Sequence, residues 1–378
     1  MRILHTIAAR DWGGIAYRTI EQVAWLNSHG HQSWLASPGG SAVALRAKTA
    51  GIPVVEFNFD RPFAPSTAWA LRRLVGDLRC DVIEAHTGRC ANATLMVRDR
   101  CTIIRTRHTT RQLKPTFSRW LRWRWGWDWT VATAQTIADD LLAAELVPPN
   151  RISVIGEWAE NRFFERTLWP EWRRTWRDRL GIPNGTFVVG AVGMLRPEKG
   201  FDTLIRAMKI VTDTHPDAIA VIVGEATEAG SPYERDLRSL VGSLGITDNV
   251  IFTGYSDDIP GLMQVFDVVA VPSTFEAQSR VIPEALASQR PIVASRVGGI
   301  TELITHGKSG WLVWPKDPAA LAFHLIDIGN SPAMTAAICD RGGAFARETL
   351  QIDAKMQQYL QAYARVPRGR MSATPPAG

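Results

Sequence analysis

The chain has 378 residues, 46% of them hydrophobic and 21% charged, with a formal net charge of +6. At roughly 100–200 residues per domain this length predicts two domains, and the lack of any run of about 18 apolar residues excludes a bilayer span. The four cysteines, Cys80, Cys90, Cys101 and Cys339, form no CxxC pair. That excludes a zinc ribbon or disulfide framework and fits small buried hydrophobes in a reducing cytosol.

In chain order, residues 2–7 read as a strand too short and too soon followed by Arg10 and Asp11 for a signal peptide. A glycine turn follows at Asp11-Trp12-Gly13-Gly14, then a helix from Ile15 to His29 that stops at Gly30. Ser33–Ser37 is the next strand, Ala42–Ala50 a helix ended by Gly51, and Pro53–Phe57 extended. Trp69–Leu78 reads as a helix and Asp81–His86 as a strand ending on polar residues. The alternation restarts with strands at Phe187–Gly193, Ile219–Gly224, Val250–Phe252, Val268–Val271, Pro291–Ala294 and Gly310–Val313. A helix from Phe201 to Thr214 lies among them. Strands alternating with helices predict an α/β protein of two doubly wound, Rossmann-like domains.

The expected division is 1–165 and 166–350, joined through a stretch near 160–185 that carries Pro170, Pro183 and Gly185. A C-terminal helix over 351–365 follows, and then a Pro-, Gly- and Arg-rich tail over 366–378 expected to be disordered. Charge divides unevenly: residues 1–165 hold 21 Lys+Arg against 15 Asp+Glu, and the remainder 22 against 22. The first half therefore suits an anionic partner: a membrane surface, a phosphorylated glycan or a nucleic acid.

Open parallel sheets bind ligands beyond the carboxyl ends of their strands. Beyond Val271 stand Glu276 and Glu284, the second within a helical run over Val281–Ser288 that Ser279 or a neighbour would begin. The free N–H groups of such a helix start favour a phosphate or sugar oxygen. The carboxylates accept from sugar or ribose hydroxyls, or are simply solvated helix glutamates. Beyond the first strand of the second domain stand Arg196 and Lys199, the cations a diphosphate needs. A third loop, Gly254-Tyr255-Ser256-Asp257-Asp258, offers backbone groups to a base.

Four segments occur in order: Gly193–Gly200 as Gly-x-Leu-x-x-x-Lys-Gly, Phe252–Tyr255 as Phe-Thr-Gly-Tyr, Pro272–Glu284 as Pro-Ser-x-x-Glu-x7-Glu, and Gly298–Leu303 as Gly-Gly-x-x-Glu-Leu. With Gly307–Val313 after them, the chain resembles the retaining glycosyltransferase family 4, of GT-B fold, over nearly its whole length. The resemblance implies two Rossmann-like domains facing a central cleft. It implies that Glu276 approaches the donor sugar's hydroxyls, Glu284 holds the ribose, and Arg196 and Lys199 neutralise the leaving diphosphate. Backbone N–H groups around Gln278 and Ser279 would contact sugar and phosphate. Gly13 and Gly14 match the family's N-terminal glycine loop. His108, in Arg105-Thr106-Arg107-His108, matches its cleft histidine.

Two positions depart from the family: Met194 stands where many members have Arg, which Arg196 would replace, and Ala277-Gln278-Ser279 stands where Gly-Phe-Gly is common. No Asp-x-Asp metal motif occurs, so neither metal nor other cofactor is expected; cations and helix dipole would stabilise the leaving group. His86, at a strand end, reads equally as a structural histidine or an acceptor contact. Arg111–Trp129 holds five cations and five tryptophans, with Arg119, Arg122, Trp123, Arg124 and Trp125 at its centre. Such a segment suits an anionic membrane surface, inward packing, or stacking on nucleic acid; no nucleic acid is expected as partner.

The function expected is transfer of a sugar from a nucleoside diphosphate sugar to a cell-envelope glycan or glycolipid of lipopolysaccharide type. The place expected is cytoplasmic, peripheral on the inner face of the cytoplasmic membrane. Alternatives are a GT-B-like sugar-nucleotide epimerase and a non-catalytic nucleotide-sugar- or RNA-binding protein.

Overall fold

A computed structural model describes residues 1–110, 113, 116–226 and 232–365. Arg111 and Lys114 of the aromatic basic segment, and the tail 366–378, lie outside the described residues. The chain forms two compact units: one comprises Met1–Gly156 and resumes at Met356, and the other is Glu157–Lys355.

The first unit carries β1 (Arg2–Thr6), β2 (Gln32–Ser37), β3 (Val54–Glu56), β4 (Val82–Ala85), β5 (Thr102–Arg107), β6 (Trp129–Ala132) and β7 (Ile152–Val154). They form one sheet in the order β3-β2-β1-β4-β5-β6-β7, and every pairing is parallel. The register sets His5 beside Glu84 and Glu84 beside Ile104. β5 to β7 were not expected from the sequence. Arg105 and Arg107 interrupt the apolar run of β5, and the next two strands are only four and three residues long. Arg105 is nonetheless buried, because its guanidinium lies 5.7 and 6.0 Å from the rings of Trp123 and Trp127 and donates to the Thr87 carbonyl at 2.5 Å.

The second unit carries β8 (Val188–Val192), β9 (Ile219–Val223), β10 (Val250–Gly254), β11 (Val268–Val271), β12 (Ile292–Ser295) and β13 (Trp311–Val313). Their order is β10-β9-β8-β11-β12-β13, again all parallel. Both faces of this sheet are covered. Val268 and Ala270 of β11 enter one hydrophobic cluster and Val269 and Val271 the other. That two-sided burial is why the strands read as continuous apolar runs. The helix Phe201–Thr214 buries Phe201, Leu204, Ile205, Met208 and Val211, a 3.6-residue stripe worth about 1.5–3 kcal/mol per large side chain.

The expected linker over 160–185 holds a helix instead, Trp169–Leu180. Pro170 sits in its first turn, and Gly181 caps it in the left-handed region at φ 65°. Pro170 thus marks the start of a helix, and Pro183 and Gly185 follow its end. The helix is fixed by Arg173, 2.7 Å from the Asp267 carboxylate, and by the Trp176 indole, which donates to Asp258 at 2.7 Å. The chain leaves the first unit earlier, between Gly156 and Glu157. The last helix, Ile352–Ala364, is not separate: from Met356 it belongs to the first unit. There Tyr359 accepts from buried Arg18 at 3.0 Å, and Tyr363 accepts from Gln22 at 2.8 Å while donating to Glu84.

Among the described residues no helix is long and apolar enough to cross a membrane.

Candidate functional site

In the second unit, loops gather beyond the carboxyl ends of β8, β9, β10, β11 and β12. The loop after β8 turns through Gly200, at φ 68°, where a Cβ would overlap the Pro272 carbonyl beyond β11. The Thr274 N–H donates to the Glu198 carbonyl at 2.8 Å, joining the same two loops. Beyond β12, Gly298 lies so close to the Glu276 carbonyl that a Cβ would overlap it, and the Gly299 N–H donates to Ala277 O at 2.8 Å. The Gly254 carbonyl, ending β10, accepts from the Gly224 N–H at 2.9 Å.

This framework brings several predicted residues together. Lys199 Nζ lies 2.5 Å from Glu276 Oε2, with both side chains largely shielded, and Ser273 Oγ lies 3.5 Å from the same oxygen. Arg196 precedes the short turn Pro197–Lys199, 4.0 Å from Glu198 and open to an anion. Glu284 is buried, 3.2 Å from the Arg280 guanidinium. Burial pushes its carboxyl up to about 7 although Arg280 opposes the rise. Arg280 also lies 3.9 Å from Glu157, whose own N–H donates to Gln278 Oε1. Gln278 Nε2 is 3.5 Å from Glu302. The Tyr255 hydroxyl donates to Asp257.

The helix after these loops runs Val281–Ala287, begun by Arg280, the neighbour of Ser279. Buried Ser279 lies one residue earlier, its carbonyl accepting from Ile282 N–H at 3.3 Å. Sequence reasoning missed Arg280 and Glu157. The i,i+4 spacing of Arg280 and Glu284 was the available signal for the first; nothing local marks the second.

In the first unit, Gly13 caps the helix Gly14–Ser28 with extended backbone and no side-chain cap, so this N-terminus keeps free backbone donors. His86 lies beyond β4 and His108 beyond β5. His86 Nδ1 is 3.1 Å from His108 Nε2, and His86 Nε2 is 3.1 Å from Nδ1 of His5, on β1. Both nitrogens of buried His86 are thus occupied, leaving it none for an acceptor contact, and the structural reading of this residue prevails. Burial lowers the pKa of all three rings, that of His5 to about 3. Beneath them Glu84 accepts from Gln22, Thr106 and Tyr363. Burial raises its carboxyl, against the pull of those three donors.

His5, Glu84 and His86 form the one group among the described residues with the spacing of a metal site. The two rings already share a hydrogen bond there, and each lies 3.7 Å from a Glu84 oxygen.

The aromatic basic segment contains the helix Phe117–Trp125. Trp123 does not lie on its open face: it is buried with Trp127 and Trp129, with its ring 5.4 Å from that of Trp127 and 5.9 Å from the Arg107 guanidinium. Phe117, Leu121 and Trp125, four residues apart, are 78%, 46% and 53% exposed. They form one apolar stripe flanked by half-buried Arg119, Arg122 and Arg124. The tryptophans thus divide between inward packing and an open face.

Residues 12–157 match the family model described as Glycosyltransferase Family 4, and residues 173–342 that described as Glycosyl transferases group 1. The chain is similar to the D-inositol 3-phosphate glycosyltransferase of Salinispora arenicola, 35% identical over 202 residues, which cover 51% of this chain and 45% of the relative. It thus spans less than half the length of that relative. It is 26% identical over 347 residues to the 2-deoxystreptamine glucosyltransferase of Streptomyces kanamyceticus, covering 89% and 83% of the two chains. Among solved structures, Anabaena Alr3699/HepE in complex with UDP-glucose superposes with a TM-score of 0.81 at 25% identity, covering 96% of this chain and 99% of the other. The chain therefore carries, on the GT-B fold, a glycosyltransferase family 4 domain over residues 12–157 and a glycosyl transferases group 1 domain over residues 173–342.

Proposed function

We propose that the protein is a retaining glycosyltransferase that moves a sugar from a nucleoside diphosphate sugar to a cell-envelope glycan or glycolipid. The observation that carries this reading is the pairing of Lys199 with Glu276 at 2.5 Å, beyond adjacent strands of the group 1 domain, with Arg196 three residues earlier on the same loop. A diphosphate there meets two cations, and the carboxylate turns to a sugar hydroxyl. Buried Glu284, held by Arg280, accepts from the ribose.

In the proposed front-face route the bond from the anomeric carbon to the diphosphate oxygen breaks, and Arg196 and Lys199 stabilise the departing charge. The freed diphosphate oxygen takes the proton of the incoming acceptor hydroxyl, whose oxygen bonds the anomeric carbon from the same face. Glu276 and His108 orient the donor, and no step calls on a metal. Backbone groups around Gln278 and Ser279, with Gly13 and Gly14, complete the donor contacts; the Gly254-Tyr255 loop meets the base.

The apolar stripe of Phe117, Leu121 and Trp125 among arginines supports docking on an anionic membrane surface, where a lipid-linked acceptor would be met. A second acceptor class is favoured by the names of two relatives: a cyclitol, as in inositol 3-phosphate or 2-deoxystreptamine.

A thermal-shift panel of UDP-, GDP- and ADP-sugars tests the donor reading, with UDP-glucose first because HepE was solved with it. A donor at 100 times its dissociation constant adds about 2.7 kcal/mol; no shift with any of them would falsify the reading. Transfer to inositol phosphate but not to lipid-linked glycan would decide for the cyclitol acceptor.

A further inference from the structure

The three histidines of the first unit constrain one another's protons. A neutral imidazole carries one N–H and one bare nitrogen. Two hydrogen bonds, His5 Nδ1 to His86 Nε2 and His86 Nδ1 to His108 Nε2, join three such rings, so the protons run in one of two directions. If donation starts at His108, the chain ends on an N–H at His5 Nε2. That atom is buried and has no hydrogen-bond partner among the described residues. If donation starts at His5, the same atom is a bare acceptor. Buried orphan N–H groups are rarer than under-satisfied acceptors, which selects the second direction.

We propose that His5, His86 and His108 form a one-way chain of neutral rings, each protonated on Nδ1, which fixes His108 as a hydrogen-bond donor through its Nδ1–H. His5 and His86 are positioning residues. The consequence for the reaction rests on the proposed function: a donor-only His108 meets a sugar hydroxyl oxygen that accepts, and it orients the donor without moving a proton. Burial keeps the rings neutral at pH 7, which agrees with the chain. A divalent ion among His5, Glu84 and His86 needs His5 Nδ1 and His86 Nε2 both bare, a state in which they share no hydrogen bond. Glu84 already accepts from three donors.

The test is long-range proton–nitrogen NMR of the full chain labelled with 15N-histidine, without nucleotide sugar, between pH 6 and 8. Wild type is expected to show His5, His86 and His108 all protonated on Nδ1, the reverse of the preference of a free imidazole side chain, and unchanged across that range. His86→Phe is expected to move His108 to mostly Nε2–H. His86→Asn, whose amide N–H takes the place of Nδ1, is expected to restore Nδ1–H. Protonation of any of the three on Nε2 in wild type, an imidazolium signal, shifts on adding EDTA, or an unchanged His108 in His86→Phe overturns the proposal. If His86→Phe loses its circular dichroism, the wild-type spectrum decides alone. The readout needs no turnover, so a failed transfer assay and a failed proton chain are told apart.

Discussion

On β1 and beyond β4 and β5 of the first unit stand histidines that touch one another away from water. Beyond β8 and β11 of the second stand a lysine and a glutamate in an ion pair, and the helix that follows carries a buried carboxyl paired with an arginine. Both sheets have the same order around their first strand, and both switch direction between the first strand and the fourth. The shared topology places loops at the same edge; what they carry sets neutral histidines at one and a lysine–glutamate ion pair at the other. Fold alone therefore does not distribute function between the halves, and the comparison has to be tested residue by residue.

The largest effect is expected at the charged edge. Lys199→Ala removes one of the two cations proposed to stabilise the leaving diphosphate, and should lower kcat about 10²–10³-fold with an unaltered circular dichroism spectrum. An activity within twofold of wild type would break the contrast.

Acidification should act oppositely on the two units. The His5 pKa falls from 6.5 to about 3 on folding, so its neutral form stabilises fully above 6.5 and that contribution is lost as pH falls. Between pH 7 and 5 the loss is on the order of 2 kcal/mol. The Glu284 pKa rises from 4.5 to about 7. Its contribution is full below 4.5 and gone above 7, and moving from pH 7 to 5 regains on the order of 2 kcal/mol. Hydrogen exchange followed by mass spectrometry should then show faster opening around β1 and β4, and slower opening around Val281–Ala287, at pH 5. Glu284→Gln should flatten the second response alone.

Tyr363→Phe takes one donor from Glu84 and one acceptor from Gln22. A loss of about 1–3 kcal/mol is expected, read as a lower urea midpoint with unchanged slope. Smallest is the open helix face: Arg122→Gln should weaken binding to vesicles containing phosphatidylserine about fivefold, from about 1 kcal/mol per cation near the surface. Equal binding by the variant, or none by wild type, would leave the stripe without a membrane role.

Much of the second unit was legible because strands buried on both faces are written as unbroken apolar runs, and Phe201–Thr214 repeats its apolar residues at helical spacing. The first unit was less so. β5 passes through Arg105, buried only because Trp123 and Trp127 lie beyond the next turn of chain, and no local pattern announces that. Pro170, Pro183 and Gly185 marked a join in sequence, yet Pro170 sits in the first turn of a helix that Gly181 caps. At the candidate sites, Lys199, Glu276 and Glu284 stood out at strand ends. Glu157 and His5 became visible only through partners that lie far along the chain or on another strand, and Arg280 through Glu284 one helical turn on.

The return of the last helix also bears on synthesis and engineering. Tyr359 and Tyr363 supply partners to Arg18, Gln22 and Glu84 from more than 340, 340 and 270 residues away along the chain. On the ribosome, Glu157–Lys355 is synthesised before those tyrosines, so the first unit, begun first, is finished last. A chimera that exchanges the first unit must exchange two pieces of gene, the stretch through Gly156 and the stretch from Met356. A graft of the first piece alone would set Arg18 and Glu84 against a foreign helix.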